Sequence, residues 1–278
     1  MIWYAPAMTN PYDPYDPGHA APSPLYPASP SIALPPYTFE GAWSAGLAVF
    51  KTNYPMLLAA GAILVGVQVV ASIIQAALEQ VEPCLASFWS LGISLGVSIP
   101  LGVSNFLIGA RAARGGKVEL ADLLLGYRRL GWLILWTLAF GVAAVIALIP
   151  GVLVVMAVAS SAGQDAALIA GIALAVLVYL PLFIYFGTRL YFVLPILVDP
   201  AIPKLSLGDA VKASWSLTRT SWLSLFALGF VVGLLLVATI LLLCVGVIFL
   251  GYPVYLSVIG AAYAMTVAPL VRQSAPFV

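Results

Sequence analysis

The sequence is short of charge. Only 8% of its 278 residues are Asp, Glu, Lys or Arg, against about 25% in a soluble domain. So sparse a load cannot coat a water-facing surface, which excludes a soluble single-domain protein. Neither sign dominates: eleven Lys plus Arg stand against ten Asp plus Glu, so there is no basic footprint for a nucleic acid. Histidine is nearly missing. The one copy, His19, lies in a proline-rich stretch, which leaves no His-based general base and no metal cluster in the apolar part. Carboxylates and lysines, which mark ion and proton paths inside membranes, are missing from the interiors of the long apolar runs. These gaps point away from an enzyme, a cofactor-binding protein and an ion-coupled pump of the usual design. Glu119, Asp122 and Asp209 are the only acids an enzyme reading has to offer, and their spacing places them on solvated helix faces.

What is abundant is apolar: 63% of residues are hydrophobic and mean hydropathy is +1.10. Runs that meet the roughly 20-residue spanning requirement predict spans at 54–78, 86–110, 132–158, 166–188, 222–243 and 249–270. The last two must be separate. Trp222 to Leu270 holds 49 residues without a charge, and one helix of that length would run about 74 Å through a core of roughly 30 Å. Gly246, Gly251 and Pro253 are the clustered breakers where it folds back. The fold class is therefore all-α, with six transmembrane helices.

Residues 1–38 differ from the rest, carrying ten of the 21 prolines. Proline favours extended backbone and removes donors, which predicts a disordered, Pro/Tyr-rich tail rather than a packed unit. The tail also offers a docking motif for a protein partner that reads proline or tyrosine. The membrane domain covers 39–272, and 273–278 form a short second tail. All eleven basic residues fall on one side of the six spans, whereas the loops opposite carry Glu79 and Glu82, then Asp165, then no charge. By the positive-inside rule both termini are cytoplasmic.

Three segments precede the odd spans and share a pattern. In 39–52, Phe39, Ala42, Trp43, Gly46, Leu47 and Phe50 recur at helical spacing. In 118–130, Leu120, Leu123, Leu124 and Tyr127 share a face opposite Glu119, Asp122 and Arg129, and 207–219 set Leu207, Ala210, Val211, Ser214 and Trp215 against Asp209, Lys212 and Arg219. Each is too short to span and suits a helix lying in the interface. A cation precedes an aromatic by three positions each time: Lys51 and Tyr54, Arg129 and Trp132, Arg219 and Trp222. The cation reaches headgroup phosphate while the aromatic sits at the interface. The even spans echo the repeat with Pro100, Pro181 and Pro253. This predicts three parallel repeats of interfacial amphipathic helix plus two-span hairpin.

The run from Leu190 to Asp199, followed by 209–218 with Ala210, Ser214 and Trp215, then Trp222 and Cys244-Val245-Gly246, resembles a large bacterial group of six-span membrane proteins of mostly unknown function. The group includes the membrane domain preceding some glycerophosphoryl diester phosphodiesterases and the YciC-like proteins. The resemblance covers about 39–272. It implies a six-span fold and a bacterial inner membrane, and with no phosphodiesterase domain present it does not carry that activity over.

Arg111 and Arg189 stand at the predicted cytoplasmic ends of even spans, where a cation snorkels, caps a helix or binds an anionic headgroup. Together with Lys51, Tyr54, Arg129, Trp132, Arg219 and Trp222 they form the candidate lipid-binding set. Ser87, Ser90, Ser94, Ser98, Gly102, Asn105 and Gly109 make one small, polar stripe on the second span, which serves close helix packing or a polar pathway. Gly229 and Gly233 in the fifth span read as a second packing face. Cys84 and Cys244 both map to the outer side, where a disulfide or simple packing are the alternatives. The function that remains is non-enzymatic: structural, regulatory or lipid-organising, with membrane lipids and a tail-bound protein as partners and no cofactor. The alternative is a channel or facilitator for a lipid-like or small neutral substrate.

Overall fold

The computed structural model describes residues 34–242 and 246–274, and no strand occurs among them. Six helical units are long and apolar enough to cross a membrane: Phe39–Val81, Pro83–Ala113, Leu120–Ala162, Gln164–Val198, Trp222–Ile240 and Val247–Arg272. The helices are α1 (Phe39–Val81), α2 (Pro83–Ile93), α3 (Ile99–Ala113), α4 (Leu130–Ala162), α5 (Gln164–Leu174), α6 (Leu180–Leu190), α7 (Val193–Val198), α8 (Leu207–Leu217), α9 (Trp222–Leu242) and α10 (Tyr252–Ser274). His19, most of the proline-rich tail and Cys244 lie outside the described residues.

The even spans are each broken in the same way. Five-residue π turns at Ser94–Ser98, Ala175–Tyr179 and Val247–Gly251 join α2 to α3, α5 to α6, and lead into α10. Pro100, Pro181 and Pro253 follow them by two residues. Proline has no N–H to give and its ring crowds the carbonyl four residues back, so the turn widens. The residue before each proline donates five positions back instead: Ile99 to Ser94, Leu180 to Ala175 and Tyr252 to Val247. In the last span the carbonyl freed by Pro253 belongs to Phe249, and the Tyr54 hydroxyl donates to it at 3.0 Å.

The segments before the odd spans take three different forms. Residues 39–52 are the first part of α1, bent from the rest at Asn53 (φ −116°, ψ 16°) where Pro55 removes a bond. They bury Ala42, Gly46 and Val49, with Gly46 seated on the Val258 backbone of α10. The second is a 3-10 helix, Leu120–Arg129. Its three-residue period turns Asp122, Leu123, Leu125 and Gly126 inward, and leaves Leu120, Leu124 and Tyr127 exposed. The expected face is corrected here: Asp122 is not solvated but 2% exposed. The third is the separate α8, capped by Ser206 and burying Ala210 and Ser214, with Asp209, Lys212 and Arg219 exposed.

The core gathers around α10, which packs on α1 and α3. At the crossing with α3 the backbones of Gly109 and Gly260 touch: a Cβ on Gly109 would collide with the Leu256 carbonyl, and one on Gly260 with the Gly109 backbone. Only residues without side chains let membrane helices approach so closely. In the deeply buried layer beside it, Phe106, Phe192 and Tyr263 meet edge to face or tilted. By contrast, the hairpin of α4 with α5 and α6 projects from the core. Only 6% of its two spanning windows is buried, against 72% in the last span, so nearly all of its apolar surface is left for lipid.

Candidate functional site

The charged end of the bundle is built where α3 stops. Gly115 (φ 75°) reverses the chain, with Gly115 N–H donating to Ala112 and Gly116 N–H to Arg111, the paired bonds of a glycine-stopped helix. The reversal directs Arg111 and Arg114 at two buried carboxylates. Arg111 pairs with Asp122 of the 3-10 helix, whose other oxygen accepts from the Glu119 N–H at 3.0 Å. Arg114 holds Asp199 with both terminal nitrogens, at 3.1 and 2.6 Å. Asp199 also accepts the Tyr263 hydroxyl at 3.0 Å and the Ala201 N–H at 3.0 Å. Burial works against the charge on Arg114, but Asp199 and its hydrogen bonds, together with Tyr263, outweigh it and hold the guanidinium above its ordinary range. One carboxylate thereby ties α3, the α7–α8 loop and α10 together.

Arg189 is turned inward. It is 6% exposed, lies over the rings of Tyr185 and Trp215 at 5.1 and 4.9 Å, and donates to the Trp215 carbonyl and the Tyr185 hydroxyl. Both it and Arg111 are engaged by partners within the protein.

Of the remaining lipid-binding set, Lys51 and Arg219 are exposed, and so is Trp132. Arg129 is half-buried and donates to the Leu205 carbonyl at 3.2 Å. Trp222 packs edge-on against Tyr185, and Tyr54 spends its hydroxyl on the last span as described above. Thus the three cation–aromatic pairs do not share one environment.

The polar stripe of the second span divides. Ser87, Ser90 and Ser94 line an open cavity of about 570 Å³ with Gln75 and Glu79 of α1. Ser98 accepts a 2.6 Å bond from Gln68. Asn105 is fully buried, its amide without a protein partner, and Gly109 serves the helix crossing. Gln68 and Gln75, seven residues apart on α1, are the facing half of this seam. A search for charge overlooks them; a search for amides at heptad spacing would have found them.

A second cavity, about 690 Å³, lies between α6, α9 and α10 and is walled mainly by apolar side chains. The Tyr191 and Tyr255 hydroxyls meet on its wall at 2.7 Å. Gly229 and Gly233 line it rather than pack on a helix, which corrects their reading as a packing face. Cys84 is exposed. No group of acids, histidines and cysteines among the described residues could hold a metal ion.

No protein family, curated protein or solved structure matches the chain. The resemblance to the six-span bacterial group therefore has no family behind it. What stands is a helical membrane protein with six apolar spans.

Proposed function

We propose that this chain is a non-enzymatic, lipid-organising protein of a bacterial inner membrane, with its charged end in the cytoplasm. The observation that carries the reading is how the charges at that end are divided. The two carboxylates nearest the bundle, Asp122 and Asp199, neutralise Arg111 and Arg114, whereas Lys51, Lys212 and Arg219 stay exposed. Those two acids are spent on the interior; Glu40, Glu119 and Asp209 stay exposed among more numerous exposed cations, which face the plane where lipid phosphate lies. The parallel repeat belongs to this reading: the even spans share one proline-induced turn, and Lys51 and Arg219, each three residues before an aromatic, are exposed at the same end. A proline-reading protein partner of the tail is part of the proposal.

The test is thermal unfolding of the purified protein with added phosphatidylglycerol or with phosphatidylcholine. Phosphatidylglycerol should raise the midpoint more, and the double variant Lys51→Gln/Arg219→Gln should lose that difference. An equal response of the wild type to both lipids refutes the reading.

A second reading, a facilitator for small neutral solutes, is favoured by the polar cavity of Gln75, Glu79, Ser87, Ser90 and Ser94. Cysteines placed at Ser90, Ser94 and Ser98 should then react in turn with a water-soluble thiol reagent. Reaction that stops before Ser98, where Gln68 closes the seam, removes this reading.

A further inference from the structure

Gly229 and Gly233 stand four residues apart on α9, the spacing at which membrane helices usually meet. Here a Cβ added at Gly187, Gly229 or Gly233 would touch nothing within 4 Å. The missing side chains open a groove of about 690 Å³ instead of a helix contact. Phe183 and Phe230 on its walls are 69% and 55% exposed, so the groove opens sideways, toward the lipid.

Its depth and its charged end say what fits. Along α9 the lining runs from Leu225 to Val237, about 18 Å of helix. One leaflet of a core of about 30 Å is about 15 Å deep. A single acyl chain of one leaflet has this depth. The groove starts at Leu225, one turn after Trp222, and the turn before α9 carries the exposed Arg219. A cation at the interface end and an apolar slot of leaflet depth match the two ends of an anionic phospholipid.

We propose that the groove between α6, α9 and α10 is a binding site for one acyl chain of an anionic phospholipid from the leaflet on the charged side, with the lipid phosphate at Arg219. This rests on the headgroup reading above and names the lipid's place in the fold. Gly229 and Gly233 supply the slot, and the side chain that a typical membrane helix would carry there is replaced by lipid.

The experiment is native mass spectrometry of the full chain released from nanodiscs of phosphatidylglycerol and phosphatidylethanolamine. It is paired with crosslinking to phosphatidylglycerol that carries a photoreactive group on its acyl chain. The wild type should retain phosphatidylglycerol and crosslink along Phe226 to Leu234. Gly229→Trp, which fills the slot, should lose the retained lipid, and Val152→Trp on the exposed face of α4 should keep it. Arg219→Gln should keep the crosslinks but lose the preference for phosphatidylglycerol. Crosslinks spread evenly over α4, α5 and α9 overturn the groove, and they do so without relying on a variant that folds. A wild-type dimer that Gly229→Trp dissociates also overturns it, because the occupant is then a second copy. Groove crosslinks that show no headgroup preference overturn the phosphate at Arg219 and the headgroup reading, while the acyl-chain site stands.

Discussion

Asp199 is the residue on which most of the charged end depends. Its two oxygens serve Arg114, Tyr263 and the Ala201 N–H. Removing its charge leaves Arg114 buried without a counter-ion, a change that costs about 3–5 kcal/mol when a buried pair is broken on one side. Asp199→Asn should therefore lower the unfolding midpoint sharply. Tyr263→Phe removes one neutral donor to the carboxylate and should cost about 1.5–3 kcal/mol, the range for hydrogen bonds to charged groups. Circular dichroism melts in a mild detergent check both, and equal losses for the two variants contradict the ranking. Little of this was legible in the sequence. A cation at a span end reads as snorkelling by default, and nothing in the spacing told that Asp122, eleven residues from Arg111, would turn inward. That turn depends on the 3-10 period, which a pattern of Leu120, Leu123, Leu124 and Tyr127 does not distinguish from an α-helical face. Asp199 was conspicuous as the acid that ends an apolar run, but its partners Arg114 and Tyr263 stand 85 and 64 residues away.

At the scale of elements, helix existence was legible because an apolar run of about 20 residues has few other fates. The bends were half legible. Pro100, Pro181 and Pro253 stood out, but the π turns follow from where the lost donor sends its neighbour's bond. The hairpin of α4 and α5 holds a further case. Pro150 interrupts α4, and the Tyr179 hydroxyl accepts the Gly151 N–H at 2.9 Å while donating to the Ala147 carbonyl at 3.1 Å. A side chain from the π turn thus replaces a bond of the facing helix. Tyr179→Phe should expose Gly151 to faster amide exchange and leave the melting midpoint nearly unchanged, because the projecting hairpin contributes little to the core. Hydrogen exchange read by mass spectrometry settles it, and unchanged protection at 147–151 removes the bridging role. The crossing at Gly109 and Gly260 should respond in the opposite manner. Gly109→Leu forces α3 off α10 and is expected to abolish the folded monomer, whereas Gly102→Leu, with open space around it, is expected to be tolerated.

For the whole molecule, burial and charge are both unevenly placed, and the proposed seating in a membrane rests on both. The last span is mostly enclosed and the α4–α5 hairpin mostly bare, so lipid meets the protein chiefly on that hairpin and at the groove beside α9. Composition told that the chain is apolar, but not which spans are enclosed, since a lipid-facing helix and a core helix have the same hydropathy. Orientation rests on a different quantity. Lys51, Lys117, Lys212 and Arg219 are exposed at one end, and moving Lys or Arg across the membrane during insertion costs about 2.5–3.5 kcal/mol for each side chain at the core centre. Exposed Cys84 and Asp165, in the first turns of α2 and α5, stand at the opposite ends of their spans. In right-side-out vesicles an impermeant thiol reagent should label Cys84 and a cysteine placed at Asp165, and spare cysteines at Lys117 and Lys212. In inverted vesicles the pattern should reverse. Labelling of Lys117→Cys together with Cys84 from one side would break the two-sided arrangement. A complete exchange of the two patterns would keep the bundle and move the charged end outside, which would also move the lipid groove to the outer leaflet.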